Sequence, residues 1–368
     1  MLPRIQVDSR EQIEDAVDAV READPRRTPG EARVSSGRWK LTLRAGSFAR
    51  RWGVVLAGGD GVRLQGLTRL ICGDDRPKQF CPLFGEGTLL DQTRRRAERS
   101  ILPDQIVYSV TKAHEKYYRR ESSRRSSQRI VQPSNRGTAP AILSSLVRVF
   151  QTELEAIVAI FPCDHYYSPE NAFTAALESA FLAAEERSES VVLLGAEPKA
   201  PEADFGWIEL GEKTGASCCA VHRIRRFVEK PSPEVAAQLF RTGSLWNTFV
   251  MVGHVRTFLK LAVESVPEVM NALGGVKFRP TAGGEIRIED WVYDRIAPAD
   301  FSRQVLSPGV ARLTTMTLEG VEWNDLGDPE RLICILAENN SELPAWARRW
   351  RARREAKVED FSASAAVA

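Results

Sequence analysis

The sequence is short of the residues and patterns that announce many common chemistries. It has six cysteines and four histidines in 368 residues, and no two cysteines are spaced C-x-x-C. A zinc site of the usual ligand spacing is therefore not expected, and reduced thiols in a cytoplasmic protein are the plain reading. Charge of one sign is also missing, because 51 basic residues stand against 49 acidic ones. No global excess points to a nucleic-acid partner, so any phosphate recognition has to be local. No run of about 18 apolar residues occurs, and the opening MLPRIQVDSREQIEDAV has no apolar core of a secretory signal, so neither a membrane span nor export is expected. Two familiar glycine loops are absent as well. The stretch Gly58-Gly59-Asp60-Gly61-Val62-Arg63 lacks the third glycine of the dinucleotide fingerprint, and no G-K-[ST] follows it to make a P-loop.

What is present is organised around Trp52 to Phe80. Val54, Val55 and Leu56 form a β-branched apolar run suited to a buried parallel strand, and the run breaks at once into Ala57, Gly58, Gly59, Asp60 and Gly61. Glycines there let the backbone turn and let a ligand approach its amides, which can converge on an anion. Arg63 and Lys78 add full positive charges, and the combination asks for a phosphate-rich ligand.

Residues 1–48 read as an extension: a capping box at Ser9 and Gln12 starts a short amphipathic helix, and a polar linker follows. Residues 49–340 alternate short apolar runs with helical stretches, which argues for βαβ units, hence an α/β fold with a mostly parallel mixed sheet flanked by helices. Strands are expected at Ile106–Val110, Arg129–Val131, Ile157–Phe161, Val191–Gly195 and Cys218–Lys230, and helices over Thr88–Arg99, Ala113–Arg120, Ala141–Glu155 and Ala172–Glu185. Residues 341–368 form a tail in which Arg348, Arg349, Arg351, Arg353 and Arg354 interleave with Trp346 and Trp350. That pattern suggests RNA or an anionic membrane, but a basic surface helix is the plainer reading, as it is for the Arg-Ser run Arg119 to Arg129.

Further candidates cluster at strand ends, where ligands bind in open α/β sheets. Gln132 offers a hydrogen-bond donor and an acceptor, while Asn135, Gly137 and Thr138 lead into an ordinary helix N-terminus, a reading compatible with a ligand-contacting role. Asp164, just past the strand at Ile157–Phe161, suits a divalent cation held by one or two carboxylates. Its neighbour His165 reads as structural. Lys230 is a point charge on a long stem beside Pro231, able to hold a phosphate, and Glu229 is a hydrogen-bond acceptor next to it. Asp325 supplies a second carboxylate for the cation, or caps a helix that begins near Asp328.

These segments, G-G-x-G-x-R-L with P-K-Q, QPSNRGTAPAI, P-C-D-H, P-E-A-D-F-G-W-I, F-V-E-K-P, W-N-T-F and W-N-D-L-G, resemble the sugar-1-phosphate nucleotidyltransferases in order from Trp52 to Leu332. The nearest resemblance is to the mannose-1-phosphate guanylyltransferase branch. It implies a nucleotide-diphospho-sugar transferase fold, with Leu56 to Gly61 wrapping the triphosphate and Arg63 and Lys78 neutralising it. Gln132, Asn135, Gly137 and Thr138 would then contact the nucleotide, Gly206, Glu229, Lys230 and Asn247 the sugar phosphate, and Asp164 with Asp325 a Mg2+ ion. The implied partners are a nucleoside triphosphate and a sugar 1-phosphate, with a homo-oligomer a further expectation. Departures stand at Val62, Gly66, Phe205 and the insertion Cys72–Arg76. A catalytically silent sugar-nucleotide sensor would lose a charged site residue, and none is missing. A molybdopterin guanylyltransferase would want its lysine closer to the glycines than Lys78.

Overall fold

A computed structural model describes residues 32–36, 39–43, 49–85, 87–121, 128–214, 220–281, 283–339 and 342–352. The helix expected after Ser9 and the arginines at 353 and 354 lie outside these residues. Between 32 and 43, where a linker is expected, β1 (Ala32–Ser36) and β2 (Trp39–Leu43) pair as an antiparallel hairpin. The segment ARVSSGRWKLTL carries the period-two alternation of a hairpin on either side of Gly37.

The remaining strands run in chain order as β3 (Arg51–Leu56), β4 (Ile106–Thr111), β5 (Gln128–Gln132), β6 (Ile157–Pro162), β7 (Tyr166–Ser168), β8 (Val191–Ala196), β9 (Gly206–Thr214), β10 (Val221–Glu229), β11 (Leu245–His254), β12 (Glu285–Arg287), β13 (Leu313–Thr317) and β14 (Glu322–Asn324). Ten of them form one sheet in the order β12-β5-β4-β3-β6-β11-β8-β13-β10-β9, while β14 and β7 pair apart from it. The sheet is mixed, as expected. Parallel pairing holds from β12 through β6 and again between β8 and β13. The other pairings of the far half are antiparallel, β9 with β10, β10 with β13, and β11 entering between β6 and β8 in the opposite sense.

Strand β3 is central. Its Val54 and Val55 are fully buried and face opposite sides, as the strand period demands. On one side Val54, Val107 and Ile160 pack under the helices Thr138–Thr152, Val255–Ser265 and Pro267–Gly274. On the other Val55, Tyr108 and Phe161 pack under Leu89–Ala97, Glu115–Glu121 and Glu170–Glu186. Each such side chain contributes about 1.5–3 kcal/mol of burial, which fixes the register and thereby the strand ends that carry the site.

Three helices matter for the site and are labelled α1 (Gln65–Cys72), α2 (Thr138–Thr152) and α3 (Pro329–Asn339). The second begins three residues earlier than expected. Gly137 at φ 92 starts it, and Pro140 in its first turn needs no hydrogen-bond partner. The first and third enclose a small core of Leu64, Leu67, Leu326, Leu332 and Leu336. The segment 345–352 is helical and lays Trp346 and Trp350 against this core, with Arg348, Arg349 and Arg351 outward. The indole of Trp350 covers Gly66, where an added Cβ would lie 3.8 Å from the ring.

Candidate active site

The glycine loop leaves the carboxyl end of β3 and is held from beneath. Gln79 is buried and donates through Nε2 to the carbonyls of Ala57 (3.1 Å) and Gly59 (2.7 Å), while Thr111 Oγ1 donates to the carbonyl of Gly58 (2.9 Å). The Leu56 carbonyl accepts from the Cys163 amide, joining the loop to the next motif. Two glycines are obligatory for different reasons. A Cβ on Gly58 would come within 2.9 Å of Thr111 Oγ1, whereas Gly61 adopts φ 60, and a Cβ on it would press within 3.1 Å of the Lys78 amide. Val62 stands 67% exposed beside the loop.

Asp60 anchors the loop to β5. Its Oδ2 accepts from Asn135 Nδ2 (2.8 Å), its Oδ1 faces His114 Nε2 at 3.4 Å, and Asn135 Oδ1 in turn accepts from the Gly137 amide (3.0 Å). Burial keeps the His114 imidazole below its usual pKa in spite of Asp60. A Cβ on Gly137 would fall 2.4 Å from the Ala299 carbonyl oxygen. Thr138 Oγ1 accepts from the Phe301 amide (2.8 Å), so the start of α2 is clamped to the 299–301 segment. Gln132 lies in the wall behind this loop with both ends engaged. Nε2 donates to Ser109 Oγ (2.9 Å), and Oε1 accepts from the Tyr293 hydroxyl (2.9 Å).

Lys78 gathers the remaining motifs. The insertion Cys72–Arg76 closes on itself through Arg69–Asp75 and Arg76–Asp74 ion pairs and delivers Lys78 into a short 3-10 turn. From there the buried ammonium donates to the carbonyls of Asp325 (2.6 Å) and Leu326 (3.2 Å) and pairs with Asp164 Oδ2 at 3.3 Å. The Asp164 carboxylate is 36% exposed. Its surroundings press its pKa upward, but Lys78 and then His165 outweigh them and hold it below the usual carboxylate value. His165 accepts from Trp323 Nε1 through Nδ1 (3.2 Å) and turns Nε2 toward Asp164 at 3.7 Å, and burial lowers its pKa from the usual imidazole value. Asp325 does not cap the following helix: Asp328 Oδ1 accepts from the Glu330 amide and takes that place. Asp325 Oδ1 accepts from the Gly327 amide (2.9 Å) and Arg331 Nη1 (3.3 Å). The position of a Cβ on Gly327 would lie 2.6 Å from Asp325 Oδ2 and 3.2 Å from Arg63 Nη2, so Arg63 reaches the same spot.

A second cluster forms where β9, β10 and β11 meet. A Cβ on Gly206 would fall 2.6 Å from Glu229 Oε2 and 3.3 Å from the Asn247 Cβ, which brings three expected sugar-phosphate residues together. Burial, reinforced by Asp300, raises the Glu229 carboxyl above its usual pKa. Lys230 is exposed at the rim, its amide bonded to the Phe205 carbonyl (3.1 Å). Asn247 is buried, and its Oδ1 accepts from the Phe249 amide. Among the described residues the non-glycine positions with positive φ are Lys230 (50°), Phe249 (63°) and Leu326 (50°), one in each of three motifs lining the site. Such conformations cost about 1–3 kcal/mol each and concentrate where a side chain or amide has to be aimed.

Two further residues shape the site: Gln79, to which the P-K-Q segment assigns no role, and Arg331. Arg331 ties Asp325 to Glu202 (2.9 Å) and stacks over Phe205 at 4.8 Å, joining the last motif to the P-E-A-D-F-G segment. Nothing in its local sequence, a helix residue after Pro329 and Glu330, marks that reach.

The fold agrees with comparisons to known proteins. The chain is 28% identical over 291 residues to the xanthan biosynthesis protein XanB of Xanthomonas campestris pv. campestris (strain B100), covering 77% of this chain and 58% of that one. It is 30% identical to mannose-1-phosphate guanylyltransferase of Escherichia coli (strain K12), covering 60% of this chain and 46% of the other, so it spans about half the length of these relatives. A solved structure described as mannose-1-phosphate geranyltransferase from Thermus thermophilus superposes with a TM-score of 0.67 at 29% identity, covering 80% of both chains. The nucleotidyl transferase family model matches residues 52–342, and the chain belongs to that family.

Proposed function

We propose that residues 49–340 are a catalytic domain that transfers a guanylyl group from GTP to mannose 1-phosphate, giving GDP-mannose and pyrophosphate. The observation that carries this reading is the convergence of Lys78 on Asp164 and on the 325–326 carbonyls, which joins three motifs far apart in sequence into one charged site. The choice of guanine and mannose leans on the named relatives.

A divalent cation fits the donor set. Among the described residues no three His, Cys, Asp or Glu side chains cluster as a metal cage. Asp164 and Asp325 instead offer oxygen donors alone, as a hard ion such as Mg2+ prefers, leaving room for phosphate oxygens and water. When bound, Mg2+ would neutralise phosphate charge. The protein's own groups do the rest. The glycine loop presents amides to the triphosphate, Arg63 and Lys78 offset its charge, and Lys230 and Asn247 hold the sugar phosphate for in-line attack on the α-phosphorus. Glu229 and Gly206 receive sugar hydroxyls. Gln132, Asn135 and Thr138, engaged within the protein, act by shaping the nucleotide wall. Catalysis of this kind comes from positioning and charge neutralisation, since little covalent chemistry falls to side chains.

The test is pyrophosphate release with magnesium, each nucleoside triphosphate against a panel of sugar 1-phosphates. Release that peaks with GTP and mannose 1-phosphate supports the reading. Binding of a nucleotide without release from any pair would refute it in favour of a silent sensor.

A further inference from the structure

Cys72 and Cys81 bracket the insertion and the Lys78 turn, nine positions apart, and their sulfurs stand 3.3 Å from each other. Both are free thiols. A disulfide needs about 2.05 Å, so the pair lies roughly 1.2 Å from bond formation. We propose that Cys72 and Cys81 form a reversible disulfide that tightens this loop and disturbs the phosphate-binding groups on either side of it. The effect on turnover rests on the nucleotidyl-transfer reading, whereas the disulfide itself does not.

Three features make the pair suited to exchange. Cys72 ends α1 and is half-buried, next to Gly73 at φ 79, so it is both reachable and hinged. Cys81 is buried in the small core with Leu64, Leu67 and Leu83, so it resolves rather than initiates. Burial also pushes the Cys81 thiol well above the usual pKa, with the Arg76 guanidinium only partly offsetting the shift. The oxidant is a low-molecular-weight disulfide. The Cys72 thiolate attacks one of its sulfurs, that S–S bond breaks, and one small thiolate leaves. Cys81 then gives its proton to solvent and attacks the Cys72 sulfur, displacing the second small thiol. Two protein thiols are oxidised, and one small disulfide is reduced to two thiols.

The contraction has to be absorbed by α1, which starts two residues after Arg63, or by the 78–80 turn, which carries Lys78 and Gln79. A displacement of about 1 Å at such groups costs on the order of 10²-fold in rate.

The experiment treats the full chain with glutathione disulfide or with dithiothreitol, alkylates free thiols and digests with trypsin. Cleavage after Lys78 separates the two cysteines, so the bond joins two peptides. The expected result is that cross-linked pair, a turnover about 10²-fold lower, recovery with dithiothreitol, and a Cys72→Ser variant that resists the oxidant while keeping its basal rate. Two alkylated thiols after oxidation, or a stable glutathione adduct on Cys72, would overturn the disulfide. A cross-linked protein with unchanged turnover would overturn the switch. If the reduced protein transfers no nucleotide at all, the functional reading fails, and the cross-linked peptides still decide whether the pair exchanges.

Discussion

Replacing Lys78 with Met keeps most of the side-chain volume and removes one charge from the centre of the site. The wild-type ammonium is 8% exposed and meets two carbonyl oxygens and one carboxylate. Of the two carbonyls only that of Leu326 is fully buried, and leaving it unmet costs about 1–3 kcal/mol. The ion pair adds only about 1 kcal/mol, because Asp164 is a third exposed and water screens it. The variant should therefore lose about 2–4 kcal/mol, a fall of about 1 M in the urea midpoint. The pH dependence follows from Asp164. Burial raises its carboxyl, Lys78 and His165 hold it below the ordinary 3.8, and the pair's contribution is thus complete above that value and lost as pH falls through the folded-state pKa. The gap between wild type and variant should be widest near neutral pH and narrow on acidification by the ion pair's share of about 1 kcal/mol, the carbonyl part remaining, while Asp164 in the variant titrates upward. Turnover should fall by about 10²- to 10³-fold. An unchanged urea midpoint, or a stability gap that ignores pH, would show that Lys78 does not hold these motifs together.

Other substitutions separate binding from framework. Lys230→Ala keeps the Cβ and hence the backbone cost, so stability should hold while turnover drops about 10²- to 10³-fold; near-normal pyrophosphate release removes the residue from the site. In Gly137→Ala the new Cβ would lie 2.4 Å from the Ala299 oxygen at φ 92, and a loss of about 2 kcal/mol or more is expected in denaturant melts. Glu229→Gln removes a carboxyl whose folded-state pKa is raised by burial and Asp300. Ionisation of that carboxyl weakens the fold as pH rises from the ordinary 4.5 through the folded value, so the variant should melt higher than wild type at neutral pH and equal to it in acid. The same variant should raise the KM for the sugar phosphate, and a lower melting temperature at pH 7 would contradict the burial argument.

The central strands were legible because both of their faces are buried. Continuous apolar runs such as Ile157–Phe161 have few other uses, and their ends were placed within a residue or two. Glycines and charges at those ends drew attention to the same loops that the fold brings together. Strand β13, with threonines at three of its five positions, escaped notice because its hydroxyls are satisfied by the neighbouring strand, Thr315 Oγ1 donating to the Leu193 carbonyl (3.0 Å). The roles of Arg331 and of Gln79, which the P-K-Q segment contains, are not legible for another reason: their partners are not sequence neighbours, and a long polar side chain on a helix or turn looks the same whether it meets solvent or a distant group. The tail reads in sequence as a basic surface helix, and Arg348, Arg349 and Arg351 do face outward, but Trp346 and Trp350 pack on the small core and Trp350 covers Gly66.

The left-handed backbone at Lys230 sets two kinds of selection against each other. Glycine accepts φ 50 without a Cβ penalty, and an exposed lysine gives up little packing on removal. A screen for thermal endurance would therefore drift toward Lys230→Gly, and a screen for catalysis would hold the lysine in place. The residue found at this position in any variant library would report which of the two pressures that library had felt.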